Sequence, residues 1–177
     1  PQIMNGLIGR KAGHSPLGGR PDGAMRREAH THALPVRDRV MLARQDFLDA
    51  LSAGPAPMDG ARLLVVVGLE RFARLRGAVG YARAEAHVRE LAGRLAAGGG
   101  SPHVARLAPD LIAGVLTVSS SAADGPDLSA LQTQLQQPVS LRGHAIASAV
   151  RIGHAPADPS ASLEEALQRA ELALDQA

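Results

Sequence analysis

The chain has no cysteine and no tryptophan, and its aromatic side chains are limited to Phe47, Phe72 and Tyr81. Without cysteine there is no disulfide framework, no thiolate metal ligand and no cysteine nucleophile. Three rings are too few for a base-stacking platform. No run of 18 apolar residues is present, so no segment reads as a membrane-spanning helix. A secretory signal pattern is also missing and the first residue is Pro1, so the sequence reads as a fragment of a longer cytoplasmic protein, one that in the cell is free or part of a membrane-attached assembly. What is there is a globular composition: 177 residues, 45% hydrophobic and 20% charged, enough for one domain with a short extension.

Charge is unevenly placed. The net value is +2, from 19 Lys plus Arg against 17 Asp plus Glu. Residues 1–44 hold eight bases against Asp22, Glu28 and Asp38, a net +5, whereas residues 45–177 are net −3. The basic character therefore belongs to an arm. Residues 1–35, with six glycines, four prolines and no sustained apolar period, read as a basic linker or arm. Nonspecific contact with nucleic acid or anionic lipid is its alternative role, but no specific nucleic acid and no membrane contact are expected of it. Gly9–Gly13 lacks full phosphate-loop spacing and a preceding strand, and His30 and His32 lack a third metal ligand.

From Asp38 the text changes. DRVMLARQDFLDAL places Val40, Met41, Phe47, Leu48 and Leu51 at helical spacings, ending at SAGPAP. Leu63–Val67 is a continuous apolar, β-branched run, the mark of a buried central strand. Glu70–Ala78 suggests a short helix. Tyr81, Ala84, Val88, Leu91, Ala92 and Leu95 define an amphipathic helix that stops at Gly98-Gly99-Gly100. His103–Leu107 and Leu111–Val118 read as a hairpin around Ala108-Pro109-Asp110. Asp127–Gln136 reads as a helix capped by Asp127. PVSL and HAIASAVRIG, separated by Arg142-Gly143, read as a second strand pair. Ser162–Gln176 closes the chain as a helix with Leu163, Ala166, Leu167, Ala170 and Leu174 inward. The resulting fold class is α+β, a ferredoxin-like βαββαβ core of the nucleotide-cyclase or polymerase-palm type. It has an antiparallel-rich central sheet with helices on one face, over residues 36–177.

Four segments in correct order then resemble the GGDEF, or diguanylate cyclase, family. LLVVVGLERFARLRGAVGYARAEAHVRELAGRL is similar to DxDxFKxxNDxxGHxxGDxxLxxxAxRL, held in phase by Phe72, Gly80, Val88, Ala92, Arg94 and Leu95. RQDFLDAL is similar to NRxxFxxxL through Arg44, Phe47 and Leu51. ARLAPDLIAGVL occupies the slot of aRxGGDEFxxxL, and the end from Ala149 resembles SIGxAxxP followed by ADxALYxAK. In that family two GTP molecules are joined across a dimer. Each half-site holds a metal-bound triphosphate, which needs carboxylates around Mg²⁺ and glycines that let the hairpin backbone approach the phosphates.

Measured against that pattern, most of the chemistry is missing. The first metal aspartate falls on Gly68, while the second acidic position is retained as Glu70. The family lysine falls on Ala73, the guanine-reading asparagine on Arg76 and its neighbouring aspartate on Gly77. The later guanine-reading aspartate is Glu85, preceded by Ala84. The signature reads Ala108-Pro109-Asp110-Leu111-Ile112, keeping only Asp110. Pro109 removes an N–H from the turn, and a leucine neither ligates Mg²⁺ nor accepts a proton. The RxxD product-binding position reads Gly99 through Pro102, without arginine or aspartate.

The resemblance thus implies lost cyclase activity, with no catalytic residue, no metal site and no cofactor. The expected function is a catalytically inactive regulatory module of a multidomain bacterial cyclic-di-GMP signalling protein. Its partners would be adjacent domains such as an EAL domain, another protein, or a second copy in a homodimer. The alternative is a sensor of GTP or a related nucleotide, with Glu85 and Arg76 reading the base, Glu70 holding one Mg²⁺ and Asp110 nearby.

Overall fold

The computed structural model describes residues 41–54, 60–99, 101–118, 128–157 and 162–177. Expectations about residues 1–35, Asp38, Val40, the helix stop beyond Gly54, Gly100 and a cap at Asp127 lie outside the described residues. In chain order the elements are α1 (Arg44–Ala53), β1 (Ala61–Leu69), α2 (Phe72–Val79), α3 (Tyr81–Gly99), β2 (Ala105–Ala108), β3 (Leu111–Val118), α4 (Ser129–Gln136), β4 (Val139–Leu141), β5 (His144–Ile146), β6 (Val150–Pro156) and α5 (Leu163–Asp175).

The apolar run of β1 forces the architecture. Residues Leu63 to Leu69 are all buried, so both faces of this strand need cover. It takes the centre of a four-stranded sheet ordered β2-β3-β1-β6, with every neighbouring pair antiparallel. Leu63, Val65, Val67 and Leu69 pack with α2, α3 and α4, whereas Leu64 and Val66 pack with α1 and α5. Alternate side chains of one strand point to opposite faces, so helices lie on both sides of the sheet. This corrects the expectation of helices on one face: the α+β class stands, but a strand apolar at every position supports two helical layers.

Four further expectations are corrected. The first helix begins at Arg44 rather than Asp38, because Leu42 is extended beside β2, donating to Val104 O and accepting from Arg106 N, each at 2.9 Å. Those bonds take the backbone groups a longer helix would use. The second helix begins at Phe72; Glu70 and Arg71 form a turn, and Arg71 has φ 54°. Tyr81 is 67% exposed at the start of α3 rather than inward. HAIASAVRIG is not one strand. Its first part, β5, pairs with β4 across a turn in which Arg142 and Gly143 have φ 49° and 83°, a type I′ hairpin. Its second part, β6, joins β1 in the main sheet.

The closing helix follows its pattern. Ser162 accepts from Glu165 N at its start, and Ala166, Leu167, Ala170 and Leu174 are buried. Arg44 of α1 clasps it through Glu164 at 2.9 Å and Glu171 at 2.8 Å.

Candidate functional site

Three of the four family-like motifs meet where β1 ends. Leu69 N donates to Asp110 O in the β2–β3 turn, and Glu70 N donates to Ala149 O between β5 and β6, both at 2.9 Å. These bonds bring Gly68–Glu70, the hairpin turn and the 147–149 segment together at one end of the sheet.

Gly68 and Leu111, the positions matching a metal aspartate and the signature acid, are cross-strand partners. A Cβ added at Gly68 would stand 3.2 Å from Leu174 Cδ2 and 3.4 Å from Leu111 Cδ2. Two leucine side chains therefore occupy the space beside Gly68. Among the described residues, no group of three or more His, Asp or Glu side chains is placed to hold a metal ion. The side chains at this point do not fit Mg²⁺, a cation that requires oxygen ligands.

The retained acids are engaged elsewhere. Glu85, on the first turns of α3, accepts from Arg106 Nη2 at 3.1 Å. Glu70 lies 3.8 Å from Arg151 Nε, and the same guanidinium reaches Leu174 O at 3.3 Å. Asp110 is exposed at the turn, and Ala108 and Ile112 flank it as strand residues. Arg76, exposed in the last turn of α2, has no side-chain partner among the described residues. The structure thus brings Gly68, Leu111 and Asp110 together but gives Glu70 and Glu85 arginine partners.

Arg106 organises the hairpin turn. Its Nε donates to Ala108 O at 2.7 Å, Nη2 to Pro109 O, and its guanidinium lies 6.0 Å from the Phe72 ring centroid. The turn needs such support. Pro109 cannot enter the positive-φ region that two-residue hairpins favour, and neither Pro109 nor Asp110 does so. The register instead shifts between Arg106 and Ala108, a bulge that supplies the missing twist. Arg106 stood in the ARLAPD motif as an unremarked basic residue; only the fold reveals that it faces Glu85, 21 positions away. Arg106→Ala is expected to lower stability by about 2 kcal/mol, through loss of charge-assisted hydrogen bonds and the ring contact. Urea unfolding measures it, and a loss under about 0.5 kcal/mol would show that the clasp does no stabilising.

His87 is a second residue without a sequence signal. It is fully buried on α3, with Nε2 2.8 Å from Ser148 Oγ and, among the described residues, no partner for Nδ1. Burial lowers its pKa below the ordinary imidazole value, and the charge of Arg94 lowers it further. The unfolded chain therefore takes up this proton more readily than the folded one. Stability is full above the unfolded value of about 6.5 and falls as pH drops through it, by up to about 1.4 kcal/mol per pH unit. Unfolding free energies between pH 8 and pH 5.5 check this, with His87→Gln expected to flatten the slope.

No protein-family model and no curated protein matches the chain. Solved structures do. It is similar to a diguanylate cyclase/phosphodiesterase from Caldicellulosiruptor saccharolyticus, with TM-score 0.65 and 18% identity over 78% of this chain and 83% of that one. The FimX GGDEF domain from Pseudomonas aeruginosa gives TM-score 0.60 and 20% identity, covering 81% and 91% respectively. An EAL/GGDEF domain protein from M. capsulatus gives TM-score 0.55 and 22% identity, covering 76% and 90%. At these identities the likeness concerns backbone architecture. The chain has the GGDEF-domain fold.

Proposed function

We propose that this is a catalytically inactive GGDEF-like module of a cyclic-di-GMP signalling protein, acting by docking on a neighbouring output domain such as an EAL domain. One observation carries the reading: Gly68, Leu111 and Leu174 make an apolar contact where the family resemblance calls for two carboxylates. Neither glycine nor leucine offers an oxygen to neutralise a triphosphate, and an unneutralised triphosphate resists attack. Glu85, the acid at the base-reading position, is turned to Arg106 of the hairpin, and Glu70 lies beside Arg151. Two of the similar structures, a diguanylate cyclase/phosphodiesterase and an EAL/GGDEF domain protein, support pairing with a phosphodiesterase domain.

The docking role is tested by producing the parent protein with and without residues 36–177 and measuring the turnover of its output domain. A change of severalfold in turnover is expected. Turnover indifferent to the module would remove the regulatory reading.

A further inference from the structure

The two helical layers carry opposite charge. On one side of the sheet, Arg71–Gly99, spanning α2 and α3, is net +4. On the other, α1 and α5 together are net −4. The basic side is also unsatisfied: Arg71, Arg74, Arg76 and Arg83 are exposed and have no ion-pair partner among the described residues. Glu70 and Glu85, which flank this run, are already engaged by Arg151 and Arg106.

Among the described residues, each side also presents one large apolar side chain to solvent. Tyr81 is 67% exposed at the start of α3, between Arg76 and Arg83 in the chain, and Leu172 is 62% exposed on α5. Glu165, Gln168, Leu172 and Asp175 follow one another at spacings of three, four and three, so they form a single stripe on α5, exposed along its length. An exposed apolar side chain therefore stands on net-basic helices on one layer and on net-acidic helices on the other, where the exposed Arg169 is the one base of α5. Interfaces are built this way, with a desolvated apolar contact inside a charged rim that sets orientation.

From this complementarity we infer that the occupant of the α2–α3 surface is a second copy of this chain, presenting its α5 stripe. The contact is heterologous, because it joins unlike surfaces. The two surfaces lie on opposite sides of one sheet, so a two-fold dimer cannot satisfy both. Association continues from copy to copy, and is weakened by salt because the rim charges are exposed. This goes beyond regulatory docking on an output domain and uses surfaces other than the Gly68–Leu111 contact.

The test is sedimentation velocity on the full chain over a concentration series, at about 20 mM and about 300 mM salt. At low salt the mean mass should rise with concentration without a plateau at the dimer, and at high salt it should fall to the monomer. Arg74→Glu/Arg83→Glu and Glu165→Lys/Asp175→Lys should each weaken self-association at least about tenfold. A mixture of the two variants should associate again, since each then offers the charge the other lacks; this recovery also shows both to be folded. Three results would overturn the inference: a monomer at every low-salt concentration, a plateau at the dimer mass, or association indifferent to Arg74→Glu/Arg83→Glu. Sensitivity to the α5 reversal alone, the last of these, would assign the acidic stripe to the basic residues of 1–44.

Discussion

Gly153→Ala is expected to melt about 10 °C below the parent protein, a loss of about 3 kcal/mol. Gly153 lies in β6 opposite Val66 of β1, on the side covered by α5. A Cβ there would land on Ala170 O and Leu174 N, both backbone atoms of that helix. Side chains can turn away from an intruding methyl group, but a helix backbone has to shift as a body. The shift would lift Leu167, Ala170 and Leu174 from the cluster that closes this face of the sheet. Thermal unfolding followed by circular dichroism measures the effect; a midpoint within about 2 °C of the parent would mean that α5 is not seated this closely. Gly77→Ala is the matched control. A Cβ at that position of α2 meets no atom within 4 Å, so the helix should gain about 0.5–1 kcal/mol.

Phe47→Ala should cost about 4 kcal/mol, the range for emptying a large buried aromatic site. Phe47 is 0% exposed. It belongs to the cluster of Leu64, Val66, Ala105 and Leu167, so it joins α1 to the sheet and to α5 at once. The Arg44 clasp on Glu164 and Glu171 is partly exposed and cannot compensate, because solvated ion pairs contribute only about 0–1 kcal/mol. The urea midpoint should fall at unchanged slope. A loss below about 1 kcal/mol would mean that the ring's cavity collapses or that α1 contributes little.

Much of this fold was legible because its signals are local. Leu63–Val67 marks a buried central strand, although the helical cover on both of its faces was not read from it. Helix α5 carried both its cap and its apolar stripe in sequence. The errors arose where a distant partner overrides a local pattern. The segment read as helix from Asp38 includes Leu42, which is extended in the fold, since an edge strand claims its backbone. Ala147–Ala149 interrupts an apparently continuous strand because Ala149 O is taken by Glu70 N and Ser148 by His87. Tyr81 matched the helical period yet faces solvent, as a residue on the first turn of a helix can when no neighbouring layer reaches it.

The candidate site divides the same way. The residues standing at Gly68, Pro109 and Leu111 were visible by motif comparison. That Gly68 and Leu111 are cross-strand partners, and that Leu174 from α5 closes over Gly68, required the fold. The partners of Glu70 and Glu85 were equally hidden, because Arg151 and Arg106 are far from them in sequence.

We propose that this GGDEF fold lacks cyclase chemistry at the end of β1. The most direct test is to incubate the chain, above its self-association range, with GTP and Mg²⁺ or Mn²⁺ and to quantify cyclic-di-GMP by chromatography. No product is expected above the protein-free control at any protein concentration. Product that increases with protein concentration would contradict the proposal.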